Sequence, residues 1–376
     1  MSVFNEIIQM KNSRIDQIKK ERDSGRKVLG FLCTYVPEEM IDAAGMISYR
    51  IFKGGVSPPV TTANAYYQRN MCPFPRACLG YALAGEYDFL DGVVSSHSCD
   101  AIRRLPDLWK KYAGGPPFFF EFDLPKTYTT DNAYNYFRKD LIRFKGALEK
   151  ISGEEITDEK LADSIETYNR TRILLRRLYG LRRSLNPPIS GVEALEVVKA
   201  SMILERKTYN KKLSELCDEL SIKRVEPDGN VRILVSGGIV ADGDNKVMGL
   251  IESHGGTVVT DDLCTGSRYF WNAIGDSEDP IDAICDRYLR NVPCPRMKPS
   301  EKRLEHVIDL IKEYQVDGVV YNLLKFCETF QYDYPIFKNE LENMGIPILR
   351  LESDYTDTDV GQLRTRIEAF TEMIRR

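Results

Sequence analysis

The sequence predicts an α/β protein, built as two doubly wound parallel-sheet domains with a helical insert between them. Three observations carry that expectation. Short apolar, β-branched runs alternate with amphipathic stretches over 28–122, the β-α-β pattern that implies a parallel sheet covered by helices on both faces. From 134 to 220 the pattern turns helical almost throughout, and after 231 the alternation resumes. At 376 residues the chain also exceeds what one hydrophobic core usually supports. The expected organisation is an N-terminal α/β domain with a leading helix (1–133), a helical connector or cap (134–228) and a C-terminal α/β domain (229–376). Both α/β parts are expected to be of Rossmann or flavodoxin type.

Taken in order, residues 1–27 read as one charged amphipathic helix. Val28–Leu32 is a strand, and Pro37 with Glu38 and Glu39 suits the first turn of the following helix. A strand over 47–52 leads into a loop over 55–70, then a helix over 79–85 and a strand over 89–95. Residues 100–112 are helical, and FFFEF (118–122) is a short buried strand. The tyrosines Tyr112, Tyr134 and Tyr136 are expected in the core.

Heptad-like spacing and i,i+4 charge pairs run through 158–183, until Asn186-Pro187-Pro188 interrupts the helix and Ser190 caps the next one. The turn Pro227-Asp228-Gly229-Asn230 marks the second boundary. Beyond it, strands are expected over 231–237, 256–261, 316–324 and 346–353, with helices between them. Asp357 is placed to cap the final helix.

The bulk numbers exclude several classes. Composition is that of an ordinary soluble protein, 43% hydrophobic and 29% charged, and the apolar runs are strand-sized, far short of the ~20 residues a membrane span needs. The N-terminus lacks the apolar centre of a signal peptide, so a cytoplasmic location is expected. A net charge of −4 and the lack of a long basic run argue against nucleic acid as the main partner. Nine cysteines in a reducing compartment point to thiols or metal ligands rather than disulfides.

Their placement is the main chemical signal. Cys33, Cys99, Cys264 and Cys327, four of the nine, fall just past the ends of expected strands, where open α/β sheets bind ligands. Core filling alone would place thiols inside strands and helices at least as often. Structural zinc uses close pairs such as C-x-x-C, and none exists here. Iron–sulfur clusters tolerate ligands scattered over loops. A fully ligated cubane takes four thiolates, whereas six divided three and three serve two cubanes, each with one iron free of thiolate. The spacing leaves these alternatives open, together with unrelated buried thiols.

The motifs CTYVPEEMIDAAG (33–45), MCPFPRACLGYAL (71–83), Cys99-Asp100, VDGVVYNLLKFC (316–327) and SDYTDTDVGQLRTRIEAF (353–370) resemble those of the 2-hydroxyacyl-CoA dehydratase and benzoyl-CoA reductase superfamily. Within it the chain is similar to the double-cubane cluster proteins, through Cys33, Cys264 in LCTGSR, Cys294, and NPPISGVEAL (186–195). That resemblance implies an [8Fe-9S] cofactor, two [4Fe-4S] cubanes bridged by sulfide, on Cys33, Cys72, Cys99, Cys264, Cys294 and Cys327. It implies reduction to low potential by a separate ATP-hydrolysing [4Fe-4S] activator, followed by reduction of a small-molecule substrate. It further implies a homodimer, and a division with Cys72, Cys99 and Cys327 on one cubane and Cys33, Cys264 and Cys294 on the other. The alternatives are a 2-hydroxyacyl-CoA dehydratase subunit with a single [4Fe-4S] cluster, and a non-catalytic electron carrier.

The remaining candidates have plainer readings. Cys78, Cys217 and Cys285 lie on expected helices and are read as packing residues. His97, two residues from Cys99, is a candidate proton donor beside a reduced cluster, against the ordinary case of a loop histidine satisfied by its neighbours. Ser236-Gly237-Gly238 lacks both the dinucleotide fingerprint and the P-loop lysine, so it is read as a tight turn and ATP is assigned to another protein.

Overall fold

The computed structural model describes residues 2–55, 60–226 and 229–375. Two four-stranded parallel sheets organise it. The first contains β1 (Val28–Phe31), β2 (Ile47–Arg50), β3 (Gly92–Ser96) and β4 (Phe118–Phe122), in the order β2-β1-β3-β4. The second contains β5 (Val231–Gly237), β6 (Gly256–Asp262), β7 (Gly318–Leu324) and β8 (Ile348–Ser353), in the order β6-β5-β7-β8. The second half therefore repeats the first in plan, and each sheet reverses its winding next to its first strand. The inner strands are mostly apolar and buried along their full length, as expected of parallel strands covered on both faces.

Six helices belong to the first part of the chain: α1 (Val3–Asn12), α2 (Arg14–Asp23), α3 (Glu38–Ala43), α4 (Val60–Ala63), α5 (Pro73–Leu83) and α6 (Asp100–Tyr112). Four follow in the middle: α7 (Asp131–Ser152), α8 (Asp158–Leu181), α9 (Gly191–Ser201) and α10 (Arg206–Ser221). The last six are α11 (Lys246–Ser253), α12 (Ser267–Phe270), α13 (Pro280–Arg290), α14 (Glu301–Glu313), α15 (Glu328–Asn343) and α16 (Val360–Arg375). The middle helices lie against both sheets' surroundings: α8 packs on α3 and α12, α7 on α13, and α9 on β6. Phe52 beside β2 shares one hydrophobic core with Ala241 and Tyr355 of the later part.

Several expectations are corrected. The single N-terminal helix is two, because the Ser13 hydroxyl turns back to the Met10 carbonyl at 3.2 Å and breaks the run. The loop over 55–70 contains the helical turn α4, while residues 56–59 of it lie outside the described residues. The helix expected from 79 begins at Pro73, a first-turn position where a proline's missing N–H costs nothing. Pro227 and Asp228 of the expected boundary turn also lie outside the described residues. The residue directly before α16 is Asp359, not Asp357, and its carboxylate accepts from Lys246 and from the Asp354 N–H. Tyr112 and Tyr136 are 39% and 48% exposed rather than core residues. Ser190 caps α9 as expected, in a full capping box with Glu193.

The turn after β5 has a physical reason. Gly237 has φ +130°, and a Cβ there would meet the Asn322 carbonyl oxygen at 2.0 Å. Only glycine lets β5 end so close to β7.

Candidate metal centre

A cavity of about 580 Å³ lies outside the carboxyl ends of both sheets, and Cys33, Cys72, Cys99, Cys264, Cys294 and Cys327 all line it. Cys33 follows β1 and Cys99 follows β3, so they flank the first sheet's reversal point, where such folds bind ligands. Cys327 follows β7 beside the second reversal point, and Cys264 follows β6. Residues 230 positions apart are tied at the cavity wall, where the Thr34 hydroxyl donates to the Cys264 carbonyl at 2.9 Å. Cys294, between α13 and α14, is held by its N–H to the Tyr35 hydroxyl at 3.0 Å.

Three of these thiols share a local design. Cys72, Cys99 and Cys327 are the N-cap residues of α5, α6 and α15. Free N–H groups and the helix dipole at such positions favour a thiolate. The Cys99 sulfur accepts from the Ile102 N–H at 3.4 Å. Cys72 and Cys327 act on each other closely, which pushes the Cys72 thiol well up and, helped by the Phe330 and Thr329 N–H groups, holds Cys327 below the usual thiol range. Cys99 also feels Cys327, and burial raises it to about 12.

The other three sit in loops away from helix N-caps, although the Arg296 N–H supports Cys294. Cys294 and Cys264 both feel Cys33, and Cys294 also feels Cys264. Burial pushes Cys294 up to about 11 and raises Cys264, each opposed chiefly by the Arg268 guanidinium. The six thiols line one cavity, and Cys99 feels Cys327 as well as Cys33 and Cys294.

The remaining cysteines are elsewhere. Cys78, Cys217 and Cys285 are fully buried on α5, α10 and α13. Cys217 and Cys285 turn their thiols to the carbonyls of Leu174 and Tyr134, both at 3.6 Å. Packing is the role this geometry supports for them. His97 lines the cavity, with Nδ1 3.2 Å from the Asp123 carboxylate. The Tyr136 hydroxyl donates to the other Asp123 oxygen at 2.8 Å and, with His97, keeps that carboxyl below its ordinary value.

The lining is also basic. Arg50, Arg103, Lys126, Arg268, Arg287 and Arg296 face the same space. Arg50 and Arg268 are only 1% and 3% exposed, yet Nε and Nη1 of Arg50 and Nη2 of Arg268 have no hydrogen-bond partner among the described residues. Buried cationic donors left open in this way match an anion. Among the described residues no three His, Cys, Asp or Glu side chains converge on a point that could hold one metal ion. Six thiols spread around a cavity of this size suit a thiolate-ligated cluster, several ångströms wide and anionic, better than one tetrahedral ion. The residues fit such a group. The arginines were not singled out in the sequence; the available signal was a charged residue closing the otherwise apolar strand before Ile51, and another four positions after Cys264.

The chain is 27% identical over 371 residues to the (R)-phenyllactyl-CoA dehydratase beta subunit of Clostridium sporogenes, covering 99% of this chain and 97% of that protein. It is 26% identical over 359 residues to one of the benzoyl-CoA reductase subunits of Thauera aromatica, covering 95% and 93%. It is 26% identical over 387 residues to the beta subunit of (R)-2-hydroxyglutaryl-CoA dehydratase of Acidaminococcus fermentans, covering 99% of each. The family model described as 2-hydroxyglutaryl-CoA dehydratase, D-component, matches residues 33–374, so the chain belongs to that family.

Proposed function

We propose that this protein is a cytoplasmic iron–sulfur reductase component that holds a double-cubane [8Fe-9S] cluster on Cys33, Cys72, Cys99, Cys264, Cys294 and Cys327. The observation that carries the reading is the second trio, Cys33, Cys264 and Cys294, lining the same cavity as Cys72, Cys99 and Cys327. When bound, such a cluster supplies low-potential electrons and irons that thiolates leave open.

The chain's own residues do the rest. Backbone N–H groups at the starts of α5, α6 and α15 face three thiols and oppose the effects that raise Cys72 and Cys99, while only Cys327 is held below the usual thiol range. Buried arginines balance negative charge. His97, held at Nδ1 by Asp123, keeps Nε2 available to carry a proton at the cavity wall. Electrons would come from a separate ATP-hydrolysing [4Fe-4S] reductase, since the chain lacks both the dinucleotide fingerprint and the P-loop lysine. The working form is a homodimer, because one chain carries both trios.

A second reading is supported by the relatives, which are named as subunits of dehydratases and of benzoyl-CoA reductase. In it, the chain is a subunit of a 2-hydroxyacyl-CoA dehydratase with one [4Fe-4S] cluster on Cys72, Cys99 and Cys327. Iron and sulfide analysis of anaerobically purified protein separates the two. About eight irons per chain is the expected count, and a stable count of about four leaves the dehydratase reading ahead. Protein that holds zinc alone excludes both.

A further inference from the structure

Arg50 closes β2 and points to the cavity end of the first sheet. It is 1% exposed and forms no ion pair among the described residues. One nitrogen, Nη2, lies 3.3 Å from the Thr34 hydroxyl, and the Phe31 ring centre is 5.1 Å from the guanidinium carbon. Nε and Nη1 find nothing. Other buried arginines are answered: Arg172 meets Glu39, Arg206 meets Glu38, and Arg303 meets Asp262 and Asp333. Arg182, Arg232 and Arg287 are also buried without an ion pair among the described residues, but each donates to backbone carbonyls, and of the three only Arg287 lines the cavity.

Arg50 thus has no ion-pair partner of its own in a low-dielectric wall, since the Glu38 carboxyl within its reach is already paired with Arg206, and such a charge calls for a counter-anion. Its field already reaches the Cys264 thiol, and Thr34 links it to the Cys264 backbone. Arg268, which also acts on Cys264 and Cys294, already has Asp262 as a partner at 3.0 Å and keeps only Nη2 open.

We propose that Arg50 is a positioning residue for the group held by Cys33, Cys264 and Cys294: its open Nε–H and Nη1–H donate to that group's anionic sulfur atoms and set its reduction potential. The inference rests on the cluster reading above. Reduction adds negative charge, which a nearby cation in a poorly screened site stabilises. Removing the cation makes reduction harder.

The test is Arg50→Met beside Arg50→Lys, in the full-length protein purified and kept anaerobic. Iron per chain and the midpoint potential of a redox titration are the readouts. Arg50→Met with full iron is expected to titrate at a more negative midpoint than the parent, and Arg50→Lys, which keeps the charge, close to the parent. An unchanged midpoint in iron-loaded Arg50→Met overturns the proposal. If Arg50→Met loses iron, Arg50→Lys decides: retained iron at a parent-like midpoint supports charge compensation, and equal loss in both variants overturns it in favour of shape alone. Iron-free parent protein removes the cluster reading itself, an outcome distinct from an iron-loaded parent whose variants do not shift.

Discussion

The Tyr35 hydroxyl accepts the N–H of Cys294 at 3.0 Å, joining residues 259 positions apart, and the same oxygen lies 2.7 Å from the Met297 sulfur. Burial keeps that phenol protonated far above its ordinary range. One side chain after β1 therefore fixes a loop of the second half at the point where Cys294 enters the cavity.

Tyr35→Phe keeps the ring and removes this anchor. The Cys294 N–H then loses its acceptor, at a cost of about 1–3 kcal/mol. Denaturant unfolding should report that loss. Iron bound through Cys33, Cys264 and Cys294 should fall before iron bound through Cys72, Cys99 and Cys327. Unchanged stability together with unchanged iron would mean the contact positions nothing.

The two trios give a second expectation. Cys264→Ala should retain one ordinary cubane, about four irons per chain, with the spectroscopic signature of a single cluster. Cys78→Ala, which alters a buried packing thiol on α5, should keep the full iron content. An eight-iron cluster that survives Cys264→Ala removes Cys264 from the ligand set.

A third concerns pH and the N-terminal helices. Burial disfavours the charge on Glu196, but Lys199 and Lys11 outweigh it and lower its carboxyl from 4.5 to about 2. Because the folded value lies below the unfolded one, the stabilisation is complete above about pH 4.5 and disappears as pH falls towards 2. At about 1.4 kcal/mol per unit, Glu196→Gln should cost about 3 kcal/mol near neutrality. The gap between parent and variant in denaturant titrations should close on acidification. A gap that stays constant from pH 7 to pH 3 would show that the Lys11–Glu196–Lys199 group contributes through shape, not charge.

Most of the fold was readable residue by residue. Strands such as VRILVSG and GVVYNLL announce themselves because a parallel strand buried on both faces reads as a near-continuous apolar run, and that requirement is local. Ser190 and Glu193 announce a helix start for the same reason, since a capping box closes within one turn. The misplaced elements are those where local signals conflict. Pro73 and Pro75 look like breakers but open α5, and Ser13 splits a run whose charges read as continuous helix.

Local chemistry also placed Cys33, Cys99, Cys264 and Cys327 after strands, because strand ends and loops follow from short stretches of chain. What local chemistry does not contain is convergence. Cys72 meets Cys327, and Thr34 meets Cys264, only because α8 packs on α3 and α12 and α9 packs on β6, which brings the carboxyl ends of two sheets to one cavity. The same packing leaves Arg50 without an ion-pair partner among the described residues: its position on β2 is a local matter, but its burial and its open donors depend on contacts between distant parts of the chain. Which thiols sit in loops was set by neighbours in the chain; which of them face one another, and across what charge, was set by how the helices stack.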